Sequence, residues 1–179
     1  LGLFAGMPQQ GVLRDSVCFN AAVSACATGG NWPLALELLG AMRSERAVAD
    51  AFTYSSAIAS CRQAGEWRVA LQLLAAMRRR RVEVCAISCN AAISSCRAGG
   101  DWEVALELFE SMAQERVERD AVTYSALLGV YSAAGRWQRA LEFLAAMVEA
   151  PSANSSAVHS TAISYLGSRV LRSRGANLV

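Results

Sequence analysis

The triplet glycine, any residue, tryptophan occurs four times, at Gly30-Asn31-Trp32, Gly65-Glu66-Trp67, Gly100-Asp101-Trp102 and Gly135-Arg136-Trp137, with successive tryptophans 35 residues apart. A fixed period between about 20 and 50 residues is the signature of a solenoid, in which each unit buries its apolar face only against its neighbours. Cutting the chain after Asp50 gives four full units, 16–50, 51–85, 86–120 and 121–155, with no insertion or deletion. Leu1–Asp15 aligns with Leu36–Asp50, so the chain is expected to open with the second helix of a truncated repeat, with further repeats upstream. Residues 156–179 follow the pattern as far as about Val170 and then lose it, as expected of a partial repeat or capping helix and a tail.

Within each unit the apolar spacing is helical. Ala70, Leu71, Leu74 and Met77 fall at i, i+1, i+4 and i+7, and Ala105, Leu106, Phe109 and Met112 repeat the stripe. Ahead of it lies a second apolar-periodic segment, such as Tyr54, Ala57, Ile58 and Cys61, which ends at Gly65, or at Gly29-Gly30 and Gly99-Gly100 in the neighbouring units. Glycine there supplies the left-handed residue that closes a helix. Asn31 and Asp101 stand where they can cap the second helix, and Pro33 falls in its first turn, where a missing N–H does no harm. Each unit therefore reads as helix, tight turn, helix and short loop.

The chemistry of enzymes is poorly represented. His159 is the only histidine, whereas a metal site needs three or four clustered ligands and a nucleophile needs a positioned base. All 17 basic residues are arginine, so no lysine exists to complete a phosphate-binding loop. Cys26, Cys61 and Cys96 recur at one place in three units and read as small packing residues; Cys85 and Cys89 lack metal or redox spacing. Apolar runs are broken by Arg or Glu well short of the ~18 residues of a membrane span, so no span is expected. These features indicate a non-enzymatic chain with no cofactor and no metal.

The strings Phe52-Thr53-Tyr54-Ser55-Ser56-Ala57-Ile58 and Val122-Thr123-Tyr124-Ser125-Ala126-Leu127-Leu128 carry a family resemblance, together with Ala105–Met112 and the closing Val117-Glu118-Arg119-Asp120. They resemble pentatricopeptide repeats, over residues 1 to about 167, and the Gly-x-Trp variant is similar to repeats of algal organellar proteins. The resemblance implies an all-α, right-handed α-solenoid that binds single-stranded RNA in a plastid or mitochondrion at about one base per repeat. It further implies that two residues per unit read the base edge: Asn20 with Asp50, Ser55 with Cys85, Asn90 with Asp120, and Ser125 with Ser155. The Asn–Asp pairs resemble a uracil-preferring combination and the two serine pairs match none, giving U-N-U-N from the 5′ side. Val17, Phe52, Ile87 and Val122 correspond to residues that sandwich bases. Helix capping would also account for Asp50 and Asp120, and burial in the core for the four apolar residues.

Charge argues for a second possibility. The four units carry net −1, +4, −4 and 0, and the positions where the family often places a cation hold Thr28, Gln63, Ala98 and Ala133. Because phosphate neutralisation dominates nucleic-acid affinity, a non-catalytic scaffold in a large organellar protein or ribonucleoprotein assembly is the alternative to RNA binding. On that alternative Arg78, Arg79, Arg80 and Arg81, at the end of a second helix, form a protein-contacting patch.

Overall fold

The computed structural model describes residues 16–149, in which eight helices follow one another in pairs. The first helices are α1 (Ser16–Gly29), α3 (Ala51–Ala64), α5 (Ala86–Ser95) and α7 (Ala121–Ala133). The second helices are α2 (Trp32–Ser44), α4 (Trp67–Arg79), α6 (Trp102–Gln114) and α8 (Trp137–Glu149). The expected half-repeat 1–15 and the capping segment 156–179 lie outside the described residues.

Each pair turns at a glycine. Gly30, Gly65, Gly100 and Gly135 have φ between 65° and 71°, the left-handed region in which a Cβ is strained. At Gly65 a Cβ would also stand 2.6 Å from the Ala98 Cβ, so that turn must stay bare for the next unit to pack. Of the paired glycines, the second alone takes the positive φ.

The second helices all open at tryptophan, but the two expected caps differ. Asn31 Oδ1 accepts from the Leu34 amide at 3.3 Å, with Pro33 in the first turn. Asp101 makes no capping hydrogen bond from its side chain, contrary to expectation. At their far ends these helices close without glycine. Arg46, Arg81 and Arg116 take φ of 59°, 58° and 58°, and the next amide reaches back to the helix at 2.8–3.0 Å, from Ala47 to Met42, Val82 to Met77 and Val117 to Met112.

First helices stack on first helices, α1 on α3, α3 on α5 and α5 on α7, while α2, α4 and α6 each pack between their own first helix and the following one, and α8 packs on α7. The inner helices thus touch one another from unit to unit, whereas the second helices make their contacts through the first helices. The core runs along the interface of the two layers through Phe19, Ile58, Ile93 and Leu127 from the inner helices and Met42, Leu74, Met77 and Met112 from the outer ones. Cys26, Cys61 and Cys96 are buried in it, as their small size suits. The outer stripe differs in one position from its expected form: Leu73 and Leu108 are buried, while Leu71 and Leu106 are only half-buried.

Candidate nucleic-acid interface

The side chains that the 35-residue register places at one spot meet across neighbouring units. Asp50, Cys85 and Asp120 are the residues immediately before α3, α5 and α7, and each faces the fifth residue of the preceding first helix. Asn90 Nδ2 donates to Asp120 Oδ1 at 3.2 Å, and Ser55 Oγ lies 3.8 Å from Cys85 Sγ. Asn20 reaches Asp50 through Thr53, whose Oγ1 is 2.6 Å from Asn20 Oδ1 and 2.8 Å from Asp50 Oδ1. Thus three of the four expected pairs come together; Ser125 is half-buried on α7, and Ser155 lies outside the described residues.

The aspartates cap helices and at the same time face the asparagine of the preceding unit. Asp50 Oδ1 accepts from the Thr53 amide, and Asp120 Oδ1 from the Thr123 amide, each at 2.8 Å, while the threonine hydroxyls accept from the aspartate amides at 3.2 Å. These reciprocal bonds are capping boxes. Capping engages Oδ1 of each carboxylate, and an ionised carboxylate keeps further acceptor capacity at its second oxygen. Asn90 is 7% exposed, and its Oδ1 is buried without a hydrogen-bond partner. The edge of this pair is therefore rich in acceptors.

Burial raises the Asp50 and Asp120 carboxyls, but the Thr53 or Thr123 amide and hydroxyl and the neighbouring asparagine outweigh it, so both lie below the ordinary value. Cys85 follows the same pattern. Burial raises its thiol, and hydrogen bonds with the Ser88 amide and with the Ser55 and Ser88 hydroxyls bring it below the usual range. By contrast, burial pushes Cys61 and Cys89 up to about 11 and Cys96 up to about 12. Thr53, Ser88 and Thr123, all fully buried, organise the pairs, and sequence reasoning overlooked them. The signal was a hydroxyl three residues after each closing residue.

Val17, Phe52, Ile87 and Val122 are 72%, 56%, 69% and 60% exposed, which removes the core reading and leaves one large apolar side chain per unit facing solvent. Their neighbours on the first helices bear almost no charge: Arg62 is the single ionised side chain on α1, α3, α5 and α7. At the end of α4, Arg78 is held by Glu115 of the next unit, whereas Arg79, Arg80 and Arg81 are exposed. Among the described residues no group of three His, Cys, Asp or Glu could hold a metal, and no helix is long and apolar enough to cross a membrane.

A repeating two-helix solenoid with one polar pair and one exposed apolar residue per unit defines a class of modular helical-repeat proteins. Family models agree: the pentatricopeptide repeat domain matches residues 72–134, and the single PPR repeat matches 17–46, 52–82 and 122–151. The chain belongs to the pentatricopeptide repeat family. No curated protein sequence matches it. Among solved structures, PPR10 from maize superposes with a TM-score of 0.75 at 22% identity, over 96% of this chain and 25% of that one. PPR10 in complex with an 18-nt psaJ RNA element gives 0.71 at 24% identity, over 82% and 22%. The PPR domain of Arabidopsis thaliana protein-only RNase P 1, in complex with tRNA, gives 0.70 at 14% identity, over 92% and 87%. The chain thus spans about a quarter of the PPR10 chain.

Proposed function

We propose that this array binds single-stranded RNA without catalysing a reaction, one base per repeat, and so stabilises, positions or helps process a transcript in a plastid or mitochondrion. The observation that carries the reading is the convergence of Asn20 with Asp50, Ser55 with Cys85 and Asn90 with Asp120 at one level of successive units, beside the exposed Val17, Phe52, Ile87 and Val122. Pairing a hydrogen-bonding edge with an apolar platform is how unstacked bases are held. The acceptor-rich Asn–Asp edge calls for a base that presents an N–H, as uracil does at N3, which supports a U-N-U-N preference. The RNA-bound states of PPR10 and of the RNase P 1 PPR domain support the ligand class.

A titration of short single-stranded RNAs at fixed salt tests it, comparing a U-rich oligomer with one carrying purines at the first and third positions. The U-rich oligomer should win by about 1–3 kcal/mol per reading pair, and Asn20→Ala with Asn90→Ala should erase the preference while leaving the helical fold intact. Equal, weak binding by wild type and double variant would refute the reading. The near-absence of charge on the first helices favours the second reading, a structural subunit contacting protein through Arg79–Arg81, and that outcome would bring it forward.

A further inference from the structure

We propose that Arg46, Arg81 and Arg116 form a row of phosphate-contacting residues along the edge of the groove on which the closing residues Asp50, Cys85 and Asp120 lie. The inference rests on the RNA reading above and adds the cations that the first helices lack.

Three observations carry it. The first is backbone conformation. All three arginines sit at φ of 58–59°, where glycine is the favoured residue and a side chain is strained. In the register of the repeat the same place is held by Gly11, so the loop itself does not demand arginine. Strain that recurs at 35-residue intervals, each time under the same side chain, points to a use for that side chain. The second is availability. Arg46, Arg81 and Arg116 are exposed, and none has a hydrogen-bonding or ionic side-chain partner among the described residues. The third is position. Arg116 lines the same shallow opening as Cys85, the closing member of the Ser55–Cys85 pair. By repeat equivalence Arg81 stands to Asp50 as Arg116 stands to Cys85. The row therefore sets a guanidinium beside two reading pairs, Arg81 by Asn20–Asp50 and Arg116 by Ser55–Cys85, while the equivalent place for Asn90–Asp120 is held by Pro151 and Arg46 stands one unit ahead, in register with Asp15.

The surroundings rank the contacts. Glu83, Glu115 and Glu118 share the opening with Arg116 and weaken its pull on a phosphate. The equivalent place beside Asp50 contains Arg80 and Arg81 with Glu83 and the Asp50 carboxylate, a smaller acidic excess than around Arg116, so Arg81 is the stronger of the two.

The test uses the full 179-residue chain, with Arg81→Gly, Arg116→Gly and the double variant Arg46→Gly with Arg81→Gly. Affinity for the U-rich oligomer is measured over a salt series, alongside thermal melting. Glycine relieves the backbone, so the melting temperature should hold or rise. Affinity should fall roughly tenfold in the double variant, with the slope of log affinity against log salt reduced by about 0.7–1 per arginine removed and the base preference kept. Arg81→Gly should cost more than Arg116→Gly. Retained affinity and slope in variants of a wild type that binds RNA would overturn the row and leave the RNA reading standing. A wild type that binds no RNA would remove both. A fall in melting temperature without loss of RNA affinity would make the arginines structural, and loss of binding to poly-glutamate alone would assign the row to an acidic protein partner; either result overturns the proposal.

Discussion

At Asp50 and Asp120 one carboxylate both caps a helix and faces the asparagine of the preceding unit, and its ionisation links stability to pH. The folded-state value lies below the ordinary 3.8, so the stabilisation is complete above that value and is lost as pH falls through the folded one. Acid should therefore lower the melting temperature below about pH 4. Asparagine is as good a cap as aspartate, so Asp50→Asn with Asp120→Asn should melt like the wild type at neutral pH yet lose less in acid. An unchanged acid loss in that double variant would place the effect on other carboxylates. A second test concerns Cys85. Its lowered thiol should be alkylated by iodoacetamide in the folded protein at a pH where Cys61, Cys89 and Cys96 stay silent, which peptide mass spectrometry reads directly. Equal labelling of Cys85 and Cys61 would contradict the geometry around the Sγ atom. That Asn20, Ser55 and Asn90 would lie beside Asp50, Cys85 and Asp120 was legible because the family resemblance names the two positions and a register without gaps carries them from unit to unit. Thr53, Ser88 and Thr123 were not, since a hydroxyl in a first turn is common and its role depends on a partner in the preceding unit.

At the scale of the helix, periodicity identified the eight described helices but misjudged which leucines face inward. A second helix is gripped from two sides, by its own first helix and by the next one, and that widens the buried stripe to include Leu73 and Leu108. Neither contact is visible within a single unit. Leu74 is fully buried, so Leu74→Ala should cost about 2–5 kcal/mol, while Leu71→Ala at the half-buried position should cost about 1 kcal/mol. Chemical denaturation of the two variants checks the order, and a reversed order would mean α4 is rotated about its axis. The caps give a matching contrast. Asn31→Ala removes a real hydrogen bond and should cost about 1 kcal/mol, whereas Asp101→Ala removes no capping bond and should cost less. Both positions carry a good capping residue in the sequence, and the difference lies in how each side chain turns. Asp101 carries a carboxylate oxygen to within 2.2 Å of where a Gly99 Cβ would stand, space open because residue 99 is glycine.

For the whole molecule, the feature that sequence and structure jointly establish is that units are interchangeable in fold but not in charge. Each unit contacts only its neighbours, so removing one repeat with its register intact should leave a shorter folded array. Deleting 51–85 joins Asp50 to Ala86, where Ser88 can take the place of Thr53 in the cap; deleting 86–120 joins Cys85 to Ala121, with Thr123 in that place. The first deletion removes net +4 and takes the chain from +2 to −2, while keeping both Asn–Asp pairs. The second removes net −4 and takes it to +6, while losing Asn90 and Asp120. The two deletions separate the sources of binding. If phosphate attraction sets affinity and the pairs set preference, the chain without 86–120 should bind RNA tighter at low salt, with a steeper salt dependence and a weakened preference for uracil. The chain without 51–85 should bind more weakly yet discriminate as sharply as the parent. Circular dichroism confirms that both deletions remain helical, and titrations at two salt concentrations supply the rest. Tighter low-salt binding by the chain without 51–85 would show that RNA affinity here does not come from the arginine-rich edge of the second full unit.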